Sequence, residues 1–107
     1  LIDFNYLVGY THNMTVEELK KKIKPILIQY DVKKAGLFGS AARGEQRPDS
    51  DIDILVEISQ KSLSVLDFIG IKLELESALG KRVDLVEYST IKPLLKKQIL
   101  SEEISIL

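Results

Sequence analysis

Ser50-Asp51-Ile52-Asp53-Ile54-Leu55-Val56-Glu57-Ile58 is the stretch that decides the fold. Ile52, Ile54, Val56 and Ile58 alternate with Asp51, Asp53, Leu55 and Glu57, the period of two expected of a strand with one buried face. Residues two apart on a strand project to the same side, so Asp51 and Asp53 stand together while the isoleucines enter a core. Two adjacent carboxylates repel, and burial adds to the cost, unless a cation lies between them. This strand is therefore read as a structural element and as half of a site.

Working outward, Lys34 to Gly39 is a short apolar run closed by glycine and is read as a first strand. Ser40 to Arg43 opens a short helix, and Gly44 to Asp49, with Pro48, is turn chemistry. Upstream, Thr15-Val16-Glu17-Glu18 reads as a capping box. Leu19, Ile23, Ile26, Leu27 and Tyr30 follow at helical spacing, with Lys20, Lys21, Lys22 and Lys24 largely on the opposite face. Pro25 is expected to kink this helix or end its first half. Downstream, Ser62 or Ser64 caps a helix to Leu79, with Leu66, Phe68, Ile69, Leu73, Leu75 and Leu79 directed inward and Gly80 as a left-handed terminus. Arg82 to Glu87 is a further strand, Thr90 caps a last helix from Ile91 to about Ser101, and Ile104 to Leu107 ends extended. The order predicts an α/β (α+β) fold, a small mixed sheet with helices packed on one face.

The 107 residues suit a single domain over 14–107, with 1–13 a peripheral extension or added edge strand. Fifteen Lys and Arg oppose 16 Asp and Glu, a net charge of −1 that argues against a broad nucleic-acid surface. Cysteine is absent, which removes disulfides, zinc thiolates and thiol catalysis and fits a reducing cytoplasm. His12 is the only histidine, too few for a histidine-based triad or metal site. No apolar run approaches the roughly 20 residues that span a bilayer, so no membrane partner is expected.

Asp84, in Val83-Asp84-Leu85-Val86, repeats the pattern of one acid set in an apolar strand. Were the two acidic strands neighbours, Asp51, Asp53 and Asp84 would converge. Oxygen ligands without His or Cys select hard cations, Mg2+ or Mn2+, and such a trio can hold two ions roughly 3.5–4 Å apart. Phe38-Gly39-Ser40-Ala41-Ala42-Arg43-Gly44 adds a strand-to-helix turn whose backbone N–H groups suit a phosphate, with the Ser40 hydroxyl and Arg43 as further donors. The same turn can serve simply as a helix cap, Arg43 can pair with Glu45 or Asp49, and Ser50 can hydrogen-bond the turn before its strand.

Gly39-Ser40, Arg43-Gly44, Ser50-Asp51-Ile52-Asp53 and Val83-Asp84-Leu85-Val86 together resemble the minimal nucleotidyltransferases of the polymerase-beta superfamily. The resemblance runs from about Met14 to the C-terminus. It implies that Asp51 and Asp53 bind both Mg2+ ions and Asp84 the catalytic one, and that Gly39 and Ser40 hold the triphosphate of ATP, with Arg43 and Ser50 in support. An acceptor oxygen would then take AMP and release pyrophosphate. Such domains are also similar to antitoxins that adenylylate a tyrosine of a HEPN ribonuclease toxin. A binding module that silences its partner by occlusion, or a transferase for an antibiotic, are the alternative expectations. Leu and Ile near the last helix and Ile104-Leu107 either form a partner surface, for a homo- or hetero-oligomer, or close the core.

Overall fold

The computed structural model describes residues 14–43, 50–58 and 64–107. The expectations for residues 1–13, for the turn at 44–49 and for Ser62 lie outside the described residues.

Helix α1 (Val16–Gln29) starts at Thr15, whose Oγ1 accepts the Glu18 N–H at 3.1 Å. It buries Leu19, Ile23 and Leu27, one residue per turn of the same face. Of the two expectations for Pro25, an end to the first half of the helix does not occur, since α1 runs on through it. Proline removes the N–H that would bond the carbonyl of Lys21, but both residues are exposed, so the loss falls outside the packed core. The buried stripe then holds the helix together. Asp31, at φ 61°, turns the chain toward β1 (Lys34–Phe38); Asp is among the few residues that tolerate this left-handed conformation.

A four-residue helix, α2 (Gly39–Ala42), follows β1 without a loop. Strand β2 (Ile52–Glu57) leads to α3 (Val65–Leu79), which is closed by a full capping box between Ser64 and Asp67 and ends at Gly80, φ 66°. Strand β3 (Val83–Glu87), a 3-10 turn at Tyr88–Thr90, α4 (Pro93–Glu102) and the short β4 (Ile104–Ser105) complete the described chain. The last helix begins two residues later than expected, because Pro93 is the natural first helical residue and the Thr90 hydroxyl instead donates to the Glu87 carbonyl at 2.8 Å.

The sheet order is β3-β2-β1-β4, with β1 antiparallel to both neighbours and β2 parallel to β3. A parallel pair needs a crossover, and α3 supplies it. One face of the sheet, carrying Ala35, Leu37, Ile52, Ile54, Val56, Val83 and Leu85, joins Leu19, Ile23, Leu27, Ile71, Leu75 and Leu79 in a single apolar cluster. This is the expected mixed sheet with α1 and α3 on one face. Leu66, Ile69 and Leu73, however, are exposed rather than inward. Helix α3 is apolar on two sides, and Ile71, Leu75 and Leu79 form the side that meets the sheet. Ile106 closes the core, while Leu94 and Leu95 on α4 face outward.

Candidate active site

The opposite sheet face carries the chemistry. Alternation puts Lys34, Gly36 and Phe38 of β1 and Asp53, Leu55 and Glu57 of β2 on it, since their neighbours fill the core. Register then fixes the pairs: Phe38 lies opposite Asp53, and Asp53 opposite Asp84. Two carboxylates expected from separate segments are thus cross-strand neighbours. Like charges directly opposite each other destabilise a sheet, so this pair needs a reason other than the fold.

Asp53 feels the strain most. Burial, then Asp84, then Asp51 hold its carboxyl above the ordinary carboxylate range, and Arg43 partly opposes the shift. Gly39, immediately after β1, sits over the same carboxylate at φ +69°. A Cβ at Gly39 would collide with Asp53 Oδ2, so glycine is required both by the left-handed backbone and by the carboxylate beside it. Ser40 follows at the start of α2, half-buried. The Gly-Ser turn and the acidic strands therefore meet at one end of the sheet.

Asp51 stands just before β2, and its carboxylate is engaged elsewhere: Oδ1 lies 3.2 Å from Arg82 Nε. Among the described residues, no group of three acidic, histidine or cysteine side chains is arranged so that it could hold a metal ion, so the expected convergence of Asp51, Asp53 and Asp84 is not complete in this structure. The arrangement is instead two acids in register and a third turned to a cation. Its chemistry fits a hard divalent ion, because the donors are all carboxylate oxygens and the partly buried Asp53 lacks enough opposing charge. Arg43, at the end of α2, lies 3.8 Å from Glu102 of α4 through Nη1; its expected partners Glu45 and Asp49 are outside the described residues. Ser50 is half-buried ahead of the acidic strand.

In the sequence Arg82 stood out only as the start of a strand, and Glu102 did not stand out at all. The signal for Arg82 was present: with Asp53 opposite Asp84 in parallel strands, Asp51 must fall opposite residue 82. Glu102 carried no comparable signal, since its approach to Arg43 depends on how α4 crosses the molecule.

At the far end of the same face, Tyr88 is buried and donates to Glu103 Oε2 at 2.6 Å. Burial and then this carboxylate push the phenol well above its ordinary pKa. The Lys34 ammonium lies 4.8 Å from the ring centre. Tyr88 is thus a structural aromatic. No helix among the described residues is long and apolar enough to cross a membrane.

Residues 21–107 match the family model described as polymerase beta, nucleotidyltransferase. A Methanocaldococcus jannaschii protein, provisionally named a protein adenylyltransferase, is 51% identical over 94 residues, 88% of this chain and all of that protein. Protein adenylyltransferase MntA of Thermococcus cleftensis is 40% identical over 93 residues, 83% of this chain and 93% of the relative. Among solved structures, one described provisionally as a minimal nucleotidyltransferase superposes with a TM-score of 0.73 at 38% identity, over 86% of this chain and 96% of that one. A toxin–antitoxin structure with AMP-PNP gives 0.71 at 29% identity, over 82% and 72%. A tri-AMPylated HEPN toxin in complex with its MNT antitoxin, from Shewanella oneidensis, gives 0.65 at 25% identity, over 85% and 71%. With a family match over most of its length and relatives covered almost end to end, this chain belongs to the polymerase-beta nucleotidyltransferase family and is a nucleotidyltransferase.

Proposed function

We propose that the chain is a protein adenylyltransferase that moves AMP from ATP to a tyrosine hydroxyl of a HEPN ribonuclease toxin in the cytoplasm, and so acts as its antitoxin. The observation that carries this reading is the in-register Asp53–Asp84 pair set against the Gly39-Ser40 turn. Relatives named for protein adenylylation and a neighbour bound to an AMPylated HEPN toxin support the acceptor.

Asp51, Asp53 and Asp84 would hold Mg2+, or Mn2+ in its place. Bound there, the ions would stabilise negative charge on the transferring phosphate and on the leaving pyrophosphate. Gly39 and Ser40 hold the triphosphate through main-chain N–H groups and the hydroxyl, with Arg43 and Ser50 supporting it. The acceptor oxygen attacks the α-phosphorus, the bond from that phosphorus to the bridging oxygen breaks, and pyrophosphate leaves with that oxygen. The acceptor proton passes to Asp84 or to water. Fixed donors that need no reorganisation supply most of the acceleration.

The test is to produce the HEPN partner together with the wild-type chain or with an Asp51→Asn/Asp53→Asn variant, and weigh the partner. Adenylyl groups on tyrosine with the wild type and none with the variant are expected. A partner neutralised equally by both, without added mass, would favour occlusion.

A further inference from the structure

Helix α3 is apolar on two sides, and Ile71, Leu75 and Leu79 bury only one of them. On the other, Leu66, Ile69 and Leu73 recur at spacings of three and four, with Val65 beside them; they are 79%, 44%, 58% and 76% exposed. Those spacings form the seam by which one helix packs along another. Next to Ile69 stands Gly70, and a glycine inside a helix is unfavourable unless something needs the space. The fold of one chain does not need it: a Cβ at Gly70 would meet only the Tyr30 hydroxyl, at 3.4 Å, an ordinary contact. We infer that this face of α3 docks a second copy of the chain, antiparallel, about a two-fold axis between Ile69 and Gly70.

The face is self-complementary about that axis. A two-fold interface sets the same patch of both copies against itself, so every contact occurs twice. Leu66 falls opposite the partner's Leu73, Ile69 enters the notch at the partner's Gly70, and Asp67 falls opposite the partner's Lys72. Asp67 and Lys72 are both exposed, so an acid meets a base on each rim of an apolar centre. A slip of one turn toward the C-terminus would instead set Asp67 against the partner's Glu76 and Ile69 against the partner's Glu74, which charge and burial both oppose. The four apolar side chains offer on the order of a few hundred Å² of surface, the size of patch that marks an interaction face. That is below the roughly 800 Å² per partner of a standard interface, so the dimer is weak and each copy folds on its own core. The two copies sit back to back. Their acidic sheet faces, on the side away from the helices, stay open, and the inference stands apart from the chemistry proposed there.

The test is sedimentation of the full chain from about 10 μM to about 1 mM, the range of a weak interface, with melting curves of dilute samples. The wild type should pass from monomer toward dimer across this range. Leu66→Ala should weaken association about tenfold and leave dilute folding unchanged, since Leu66 lies outside the core. Gly70→Ala should weaken association as much, yet raise the dilute melting temperature by about 3–6 °C, because alanine suits the helix and obstructs only the second copy. Lys72→Glu sets two acids against each other and should weaken association about threefold. Asp67 is left intact because it caps α3 with Ser64. Leu94→Ala, at a position 95% exposed on α4, should change association by less than about twofold. A wild type that stays monomeric to about 1 mM, a Gly70→Ala variant that associates like the wild type, or equal weakening by Leu94→Ala would overturn the inference. So would a monomeric chain whose Leu66→Ala variant loses its HEPN partner, since the face would then belong to that protein.

Discussion

The sheet face opposite the helices holds two carboxylates beside two glycines, and they are treated in opposite ways. At one end, Gly36 leaves room for Glu103 and the Tyr88 hydroxyl; a Cβ there would run into both. Glu103 accepts a hydrogen bond from the Tyr88 hydroxyl at 2.6 Å, and the polar pair is satisfied. At the other end, Gly39 leaves room for Asp53, and the neighbour across the sheet is a second acid, Asp84. The same device, glycine under a carboxylate, makes a clasp in one place and an electrostatic conflict in the other. A fold built only for stability would resolve the second as it resolves the first. What remains unresolved at Asp53 is what a cation and a phosphate would complete.

The largest effect should come from removing the conflict. Asp53→Asn is expected to lower AMP transfer by about a thousandfold, the loss of several kcal/mol of charge stabilisation at about 1.4 kcal/mol per tenfold. The same variant should melt at a higher temperature than the wild type in metal-free buffer at neutral pH. The sign follows from proton binding. Folding raises the Asp53 pKa through burial, Asp84 and Asp51, so the associated stability is full below the unfolded carboxyl value and is lost as pH rises through the folded one. Melting curves across the acid range should show that loss in the wild type and less of it in Asp53→Asn. Equal profiles would mean that Asp53 is not strained.

Unbalancing the clasp should cost stability and spare chemistry. Tyr88→Phe leaves the partly buried Glu103 without its donor, a cost of about 1–3 kcal/mol in denaturant titration. Transfer per folded molecule should stay near the wild-type rate. Gly39→Ala sits between the two regions in kind. Its left-handed backbone alone costs about 1–2 kcal/mol, and the new methyl must push Asp53 aside, so stability and transfer should fall together.

These contrasts also mark how far the sequence could be read. The alternation of β2 revealed which side Asp53 faces, and the pattern around Asp84 revealed a second acidic strand. The turn at Gly39-Ser40 and the caps at Thr15 and Gly80 were equally plain, because each is local chemistry, whereas Ser64 was one of two candidates. Helix α3 was harder. Leu66, Ile69 and Leu73 obey helical spacing as well as Ile71, Leu75 and Leu79 do, and only the packed sheet selects between the faces. Pro25 does not end α1 for a related reason, since the penalty of a proline depends on whether the stranded carbonyl lies on the exposed side or in the core. The Arg43–Glu102 and Tyr88–Glu103 contacts join residues distant in sequence, so no local pattern announces them.

The smallest effect should be at that outward face of α3. Leu66 is 79% exposed, so Leu66→Ala should shift stability by no more than about 0.5 kcal/mol, whereas Leu75→Ala, from the buried face, should cost about 2–5 kcal/mol. Chemical denaturation of the two variants would settle which apolar side is the core.

The central claim is that this site transfers the α-phosphate end of ATP to a protein. The direct measurement is to incubate the chain and its HEPN partner with Mg2+ and ATP labelled at either the α or the γ position, then follow label into protein. Label from α-ATP alone, lost in Asp53→Asn, is the predicted result. Label from γ-ATP, or α-label that persists in Asp53→Asn, would contradict it.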